Sequence, residues 1–213
     1  MGLLIAMEGA DGVGKHTQVT MLESGLREEG YSVKLHGFPN YSSVFGRVIR
    51  DRLTGSVKMS NKGSFLMYLG DMVEDAPMIE KWLDEGHTVL LDRYNLSTIA
   101  YGVASGFDYD DAKKVEETFN LPRPNLVIYI DMPVERSMLL KARQRSLEQD
   151  KADIYESNRK LQENVKAVYE RMFSESLLAD KWVKIDGSGS IEEVHKSIMN
   201  AVNSTFTINK LRY

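Results

Sequence analysis

The chain has 213 residues, of which 42% are hydrophobic and 27% are charged, and this length predicts one domain over residues 1–213. A formal net charge of −4 argues against nucleic acid or an anionic membrane as a partner. The absence of cysteine excludes disulfides and thiolate metal sites and fits a reducing, cytoplasmic location. The apolar run within residues 1–8 is too short to cross a membrane and lacks the basic start of a secretion signal, so it predicts a strand.

Short apolar runs alternate with longer helical patterns along the chain. The strand-like runs are residues 3–7, 32–36, 88–91, 126–130 and 182–185. About fifty residues separate the second run from the third, which leaves room for two helices. The clearest helical patterns extend from Phe65 to Leu83, ending near Gly86, and from Leu161 to Met172. This alternation predicts an α/β fold in which helices cover both faces of a parallel sheet.

A glycine-rich turn follows the first predicted strand and leads into a helical stretch from about Thr17 to Glu29. Its spacing, a glycine, four residues and then Gly-Lys, is that of a phosphate-binding loop, or P-loop. Glycines allow backbone N–H groups to face phosphate oxygens, and Lys15 adds positive charge beside the β and γ phosphates. The alternative is a flexible turn with a surface lysine. The predicted ATP-binding residues are Gly9, Asp11, Gly12, Val13, Gly14, Lys15, His16 and Thr17.

His16 departs from the P-loop pattern, because a serine or threonine hydroxyl usually ligates magnesium at this position. Mg²⁺ is a hard cation that prefers oxygen ligands, so an imidazole does not replace the hydroxyl. The ion would instead be held by water, the nucleotide phosphates and a carboxylate. Asp11 and Asp92 are the candidate metal ligands.

An acid and a base follow the third apolar run, where Asp92 and Arg93 stand at the carboxyl end of a predicted buried strand. Ligands of open α/β sheets collect at this edge. Arg93 has the planar donor geometry that clamps a phosphate through parallel hydrogen bonds. A purely structural ion pair between the two side chains is the alternative, and a neighbouring P-loop favours the functional interpretation.

A basic cluster lies between two predicted helices, and the predicted lid occupies about residues 143–153. Many such clusters are simply solvated helix faces. If the segment closes over the site, an arginine can stabilise charge on the transferring phosphoryl group and exclude water. The cluster consists of Lys141, Arg143, Arg145 and Lys151.

Five short motifs occur along the chain: Glu8 to Lys15, Phe38-Pro39-Asn40-Tyr41, Asp92-Arg93-Tyr94 with Ser97, Thr98 and Tyr101, Leu121 to Pro124, and Asp153 to Glu156. In this order and register they resemble the thymidylate kinase family of P-loop nucleoside monophosphate kinases. The resemblance implies a three-layer P-loop kinase fold with a five-stranded parallel sheet and a short lid. It also implies a homodimer, ATP and dTMP as substrates, and Mg²⁺ as cofactor.

The resemblance also implies roles for individual residues. Lys15 would bind the donor phosphates, Arg93 the acceptor phosphate, and Asp11 the sugar 3′-hydroxyl and the magnesium shell. Because residue 12 is glycine, the catalytic arginine is expected from the lid, as Arg143 or Arg145. The aromatic members of the acceptor pocket are alternatively ordinary core residues. The implied acceptor-binding residues are Asp11, Phe38, Pro39, Tyr41, Tyr68, Met72, Arg93, Ser97, Thr98 and Tyr101.

Met72 stands where the family usually has an arginine that hydrogen-bonds the thymine carbonyl. A thioether cannot donate that bond, so discrimination among bases is expected to weaken. Two alternatives therefore stay open: a deoxynucleoside monophosphate kinase of broader or different base specificity, and a nucleotide-binding switch or ATPase that no monophosphate stimulates.

Overall fold

The central sheet has five parallel strands in the order β2-β3-β1-β4-β5. The structure, a computed structural model, describes residues 2–148 and 158–210. The strands lie within one or two residues of the predicted runs, and the predicted five-stranded α/β fold is confirmed. Their bounds are β1 Leu3–Glu8, β2 Val33–Gly37, β3 Thr88–Asp92, β4 Leu126–Asp131 and β5 Trp182–Asp186.

Helices cover both faces of this sheet. β4 is buried at five successive positions, which requires cover on both sides because successive side chains point to opposite faces. α1 packs on α8, and α4 packs on α3 and α7. The helices are α1 Lys15–Glu28, α2 Val44–Leu53, α3 Asn61–Asp84, α4 Asn95–Ala104, α5 Tyr109–Thr118, α6 Val134–Glu148, α7 Arg159–Glu175 and α8 Ile191–Lys210.

Helix α1 begins two residues earlier than the sequence pattern predicts. Gly14 is its N-cap residue and has a left-handed backbone with φ of 90°. Only glycine adopts this conformation without strain, so the turn closes directly onto Lys15. The first residue of the helix is therefore the lysine of the P-loop.

The sheet register brings the P-loop beside the turn that follows β3. Met7 of β1 pairs with Asp92 of β3, and the N–H of Arg93 donates to the carbonyl oxygen of Met7 at 3.0 Å. Gly9, which begins the P-loop, therefore lies close to Arg93. Two motifs more than eighty residues apart in sequence meet at one edge of the sheet.

The predicted lid lies only partly within the described residues. α6 contains its first residues, Arg143 to Glu148, whereas residues 149–153 are outside the described ranges. Among the helices of the described ranges, none combines the length and apolar character needed to span a membrane. The assignment of residues 1–213 to one domain stays a prediction.

Candidate active site

The P-loop folds closely against β4 and α6. A β-carbon on Gly9 would lie 2.5 Å from the carbonyl oxygen of Ile130, and one on Gly12 would lie 2.2 Å from that of Ser137. Both glycines also have positive φ, which L side chains adopt only with strain. Glycine is required at both positions, and residue 12 cannot carry a side chain while α6 packs here.

Lys15 lies beneath this loop rather than on the surface. Its side chain is 6% exposed, and Nζ donates to the carbonyl oxygen of Ala10 at 2.6 Å. Burial and the nearby guanidinium of Arg93 lower the pKa of Lys15 to about 7, although Asp11 and Asp92 oppose the shift. An anionic ligand would restore the charged form, so the site favours phosphate.

An open cleft of about 1610 Å³, including solvent at its mouth, surrounds the P-loop, and we call it the P-loop cavity. It contains every predicted ATP-binding residue except Gly9. Arg136 and Lys141 of α6 also line the cleft and add positive charge. The predicted residues that line it are Asp11, Gly12, Val13, Gly14, Lys15, His16 and Thr17.

Arg93 follows β3 in a left-handed backbone conformation with φ of 67°. Its guanidinium donates to the carbonyl oxygen of Gly9 at 3.1 Å and to Ser97 Oγ at 3.3 Å, and it forms an ion pair with Asp11. The guanidinium carbon lies 5.4 Å from the centre of the Tyr101 ring. These contacts fix a cation at the end of the sheet, with 19% of its side chain exposed.

Glu8 holds the backbone turn at Arg93. This fully buried carboxylate accepts hydrogen bonds from the Tyr94 backbone N–H at 2.8 Å, Ser97 Oγ at 2.6 Å and the Tyr169 hydroxyl at 2.7 Å. Burial raises its pKa, against the opposing effect of the Ser97 and Tyr169 hydrogen bonds. The network joins β1, α4 and α7 directly behind Arg93. Glu8 was part of a predicted motif, but its spacing indicated no role of its own.

A second cavity of about 710 Å³ lies between α3, α4 and the loop after β2, and we call it the α3–α4 cavity. All ten predicted acceptor-binding residues line it. Asp11 and Arg93 also line the P-loop cavity, so the two cavities meet at this ion pair. The ten residues are Asp11, Phe38, Pro39, Tyr41, Tyr68, Met72, Arg93, Ser97, Thr98 and Tyr101.

The end of the α3–α4 cavity that lies away from Asp11 and Arg93 is lined by uncharged residues. Thr98 Oγ1 donates to Met72 Sδ at 3.7 Å, a weak contact. Ser64, which belongs to none of the predicted motifs, also lines the cavity, and its buried hydroxyl oxygen has no hydrogen-bond partner among the described residues. Among the described lining residues, the charged ones are Asp11 and Arg93, where the cavities meet.

The two predicted metal ligands differ in how many of their carboxylate oxygens already have a hydrogen-bond or ion-pair partner. Asp11 has one carboxylate oxygen paired with Arg93 and the other accepting from Gln162 Nε2 at 3.0 Å. Asp92 Oδ2 lies 3.2 Å from Nδ1 of the exposed His16, and Asp92 lines the P-loop cavity. Asp92 is therefore the better placed carboxylate. The described residues contain no cluster of three or more potential metal ligands, so a magnesium ion would depend on nucleotide oxygens and water.

Arg143, the predicted lid arginine whose side chain the structure describes, is not brought to the site. Arg143 is exposed and does not line either cavity. The side chain of Arg145, and Lys151 with the motif at residues 153–156, lie outside what the structure describes. Their catalytic role stays a prediction.

Gln162 of α7 makes a contact that was not predicted from the sequence. It is 1% exposed and forms two hydrogen bonds with Asp11 across 151 positions of sequence. One signal was present: Gln162 lies three residues before Val165 and seven before Tyr169, on the buried face of an amphipathic helix. A polar residue on that face requires a partner.

Comparisons with known proteins agree with this geometry. A family model described as thymidylate kinase matches residues 7–198. The thymidylate kinase of Schizosaccharomyces pombe is 29% identical over 203 residues, covering 95% of this chain and 92% of that protein. The thymidylate kinase of Dictyostelium discoideum is 30% identical over 210 residues, covering 96% and 86%.

The same fold occurs in a solved structure of a thymidylate kinase from Candida albicans, with a TM-score of 0.72 and 23% identity over 95% of this chain and 92% of that one. The fold, the P-loop and the family model therefore agree over nearly the whole chain. The chain belongs to the thymidylate kinase family and is a nucleoside monophosphate kinase.

Proposed function

We propose that this protein transfers the γ-phosphoryl group of ATP to dTMP, giving ADP and dTDP. The observation that carries the proposal is the junction of the two cavities. Asp11 and Arg93 line both, so a donor in one cavity and an acceptor in the other would place their phosphates at the same point. In-line transfer requires this arrangement.

The donor triphosphate binds the P-loop, where backbone N–H groups and Lys15 face its oxygens. Asp92, beside Lys15 in the P-loop cavity, would hold Mg²⁺ through water or directly, together with the phosphates. The bound ion would neutralise charge on the β and γ phosphates. Lys15, Arg136 and Lys141 supply the protein's own positive charge around the donor.

The acceptor monophosphate lies against Arg93. One of its oxygens forms the new bond to the γ-phosphorus while the bond from that phosphorus to the β,γ-bridging oxygen breaks, and the electron pair leaves with ADP. A phosphate dianion needs no general base, so positioning and charge neutralisation supply the rate. Asp11 faces the sugar 3′-hydroxyl. Tyr101 packs against the deoxyribose and crowds a ribose 2′-hydroxyl.

A broader base specificity is the second candidate, and the neutral end of the α3–α4 cavity favours it. Thr98 and Ser64 line this end and carry hydroxyl groups, which both donate and accept hydrogen bonds. A hydroxyl therefore pairs with the 4-oxygen of thymine or the 4-amino group of cytosine. Met72 adds no donor, so discrimination between these bases would be weak.

The test is ADP release from ATP and Mg²⁺ with a panel of nucleosides, deoxynucleoside monophosphates and ribonucleoside monophosphates. We expect dTMP to stimulate release, chelation of Mg²⁺ to stop it, and Lys15→Ala to abolish turnover while the circular dichroism spectrum is unchanged. Comparable kcat/KM for dTMP and dCMP would establish the broader specificity. Hydrolysis of ATP that no monophosphate accelerates would identify a switch or ATPase and reject the proposal.

We also propose a cytoplasmic homodimer without nucleic-acid or membrane partners. The family relationship supports the dimer, while the net charge of −4 and the absence of cysteine support the other assignments. Light scattering after size exclusion, at several protein concentrations, measures the oligomeric state.

A further inference from the structure

Gln162 forms two hydrogen bonds with Asp11. The backbone N–H of Asp11 donates to Gln162 Oε1 at 3.1 Å, and Gln162 Nε2 donates to Asp11 Oδ2 at 3.0 Å. An amide group is suited to this pair of contacts, because it carries one acceptor and one donor side by side. The contact ties the P-loop to the first turns of α7.

Asp11 in turn helps to position Arg93. Asp11 Oδ1 pairs with the Arg93 guanidinium, while Oδ2 accepts from Gln162. Burial alone would raise the pKa of Asp11, but the positive charges of Arg93 and Lys15 outweigh it and hold the pKa below its usual value. Asp11 is therefore an anion held between a cation and a neutral amide.

We propose that Gln162 is a positioning residue for phosphoryl transfer: it orients the Asp11 carboxylate, and through it the Arg93 guanidinium, at the junction of the two cavities. The inference rests on the proposed function, because it assigns Arg93 to the acceptor phosphate. Gln162 lines neither cavity and is not expected to contact substrate.

The chemistry requires an amide at this position. A carboxylate at residue 162 would lose the donor to Asp11 Oδ2 and place two negative charges within hydrogen-bonding distance. The carboxylate introduced by Gln162→Glu has nearly the size of the amide but repels Asp11, so it would displace the Asp11 carboxylate from the Arg93 guanidinium.

The experiment compares kcat/KM for the acceptor monophosphate and KM for ATP in the parent, Gln162→Leu and Gln162→Glu at one pH. Gln162→Leu removes both contacts and should lower kcat/KM for the acceptor about 10- to 100-fold, the usual cost of losing a supporting residue. Gln162→Glu should lower it at least as far, because its charge repels the carboxylate that the amide holds. KM for ATP should change much less in both variants, because Lys15 and the P-loop backbone remain in place.

Asn164→Asp is the matched control. It adds the same charge to the same helix at an exposed position, so its kcat/KM should match that of the parent. Unchanged circular dichroism spectra show that the variants are folded. A loss confined to the acceptor kinetics is the readout that a purely structural role would not give.

Two results would overturn the inference while leaving the proposed function intact. One is a loss below twofold in Gln162→Leu when the parent is active. The other is a rise in the KM for ATP as large as the loss in kcat/KM for the acceptor, which would mean that the variants disturb the whole site. A parent that no monophosphate stimulates would overturn the proposed function and, with it, this role of Gln162.

Discussion

At the scale of single residues, Lys15 combines burial with a neighbouring positive charge. Both lower its pKa to about 7, so part of the population is neutral at physiological pH. A bound triphosphate favours the ammonium, because opposite charges at short range stabilise the ionised form. ATP binding at pH 8 is therefore expected to take up close to one proton, and ATP affinity should fall as the pH rises above about 7.

Calorimetry in buffers of different ionisation enthalpy measures this proton uptake directly. Lys15→Arg is the control, because its guanidinium stays charged throughout this range and has no proton to gain. Uptake close to zero in the parent at pH 8, or equal uptake in the parent and in Lys15→Arg, would contradict the prediction.

Residues predicted from spacing differ from residues that only the structure identifies. Lys15 and Arg93 each follow a recognisable strand, and the parallel sheet brings their strand ends together. Glu8 and Gln162 act through hydrogen bonds to residues 161 and 151 positions away, to Tyr169 and Asp11 respectively. One sequence without an alignment contains no signal for such pairs, apart from the burial of a polar side chain.

At the scale of elements, the packing of α6 on the P-loop is set by two glycines with different surroundings. Gly12 and Gly14 both have positive φ, but a β-carbon would meet Ser137 at residue 12 and open space at residue 14. Alanine at either position bears backbone strain, and only Gly12→Ala also pushes against α6. We expect Gly12→Ala to lower the free energy of unfolding by about 1–3 kcal/mol more than Gly14→Ala.

Urea unfolding of the parent and the two alanine variants measures this difference. Equal decreases in the free energy of unfolding would mean that only backbone strain acts at both positions and that α6 moves aside without an energetic penalty. Gly12→Ala should also raise the KM for ATP, because the same displacement opens the P-loop cavity.

Strands were easier to predict than the buried faces of helices. Buried parallel strands are continuously apolar, and all five runs became strands. In α7, Val168 is only partly buried, whereas Tyr169 beside it is fully buried and donates to Glu8. Tyrosine places a hydroxyl at the end of an apolar ring, so its burial depends on a partner that the local pattern does not show.

At the scale of the whole molecule, stability contains a contribution from a buried carboxyl group on α5. Glu116 of α5 is 2% exposed, and neither of its carboxyl oxygens has a hydrogen-bond partner among the described residues. Burial, with the nearby charge of Glu8, raises its pKa from 4.5 to about 8. The native protein therefore binds a proton here that the unfolded chain has already released at neutral pH.

The direction of the pH dependence follows from this difference. Between about pH 4.5 and pH 8 the native state holds more protons at Glu116 than the unfolded state, so this group makes the free energy of unfolding fall as the pH rises. The slope is about 1.4 kcal/mol per pH unit within that window, and the contribution levels off outside it. In Glu116→Gln the side chain is neutral at every pH, so this contribution to the free energy of unfolding is absent.

We therefore expect the free energy of unfolding of Glu116→Gln, relative to the parent, to increase with pH from about 5 to about 8 and then remain constant. Urea unfolding across this range gives the difference, and the pH dependence shared by both proteins cancels. Glu117→Gln, at the exposed neighbouring position, should show no such trend. A difference for Glu116→Gln that stayed constant from pH 5 to pH 8 would mean that Glu116 ionises with an ordinary pKa, which would require a solvated carboxyl group instead of a buried one.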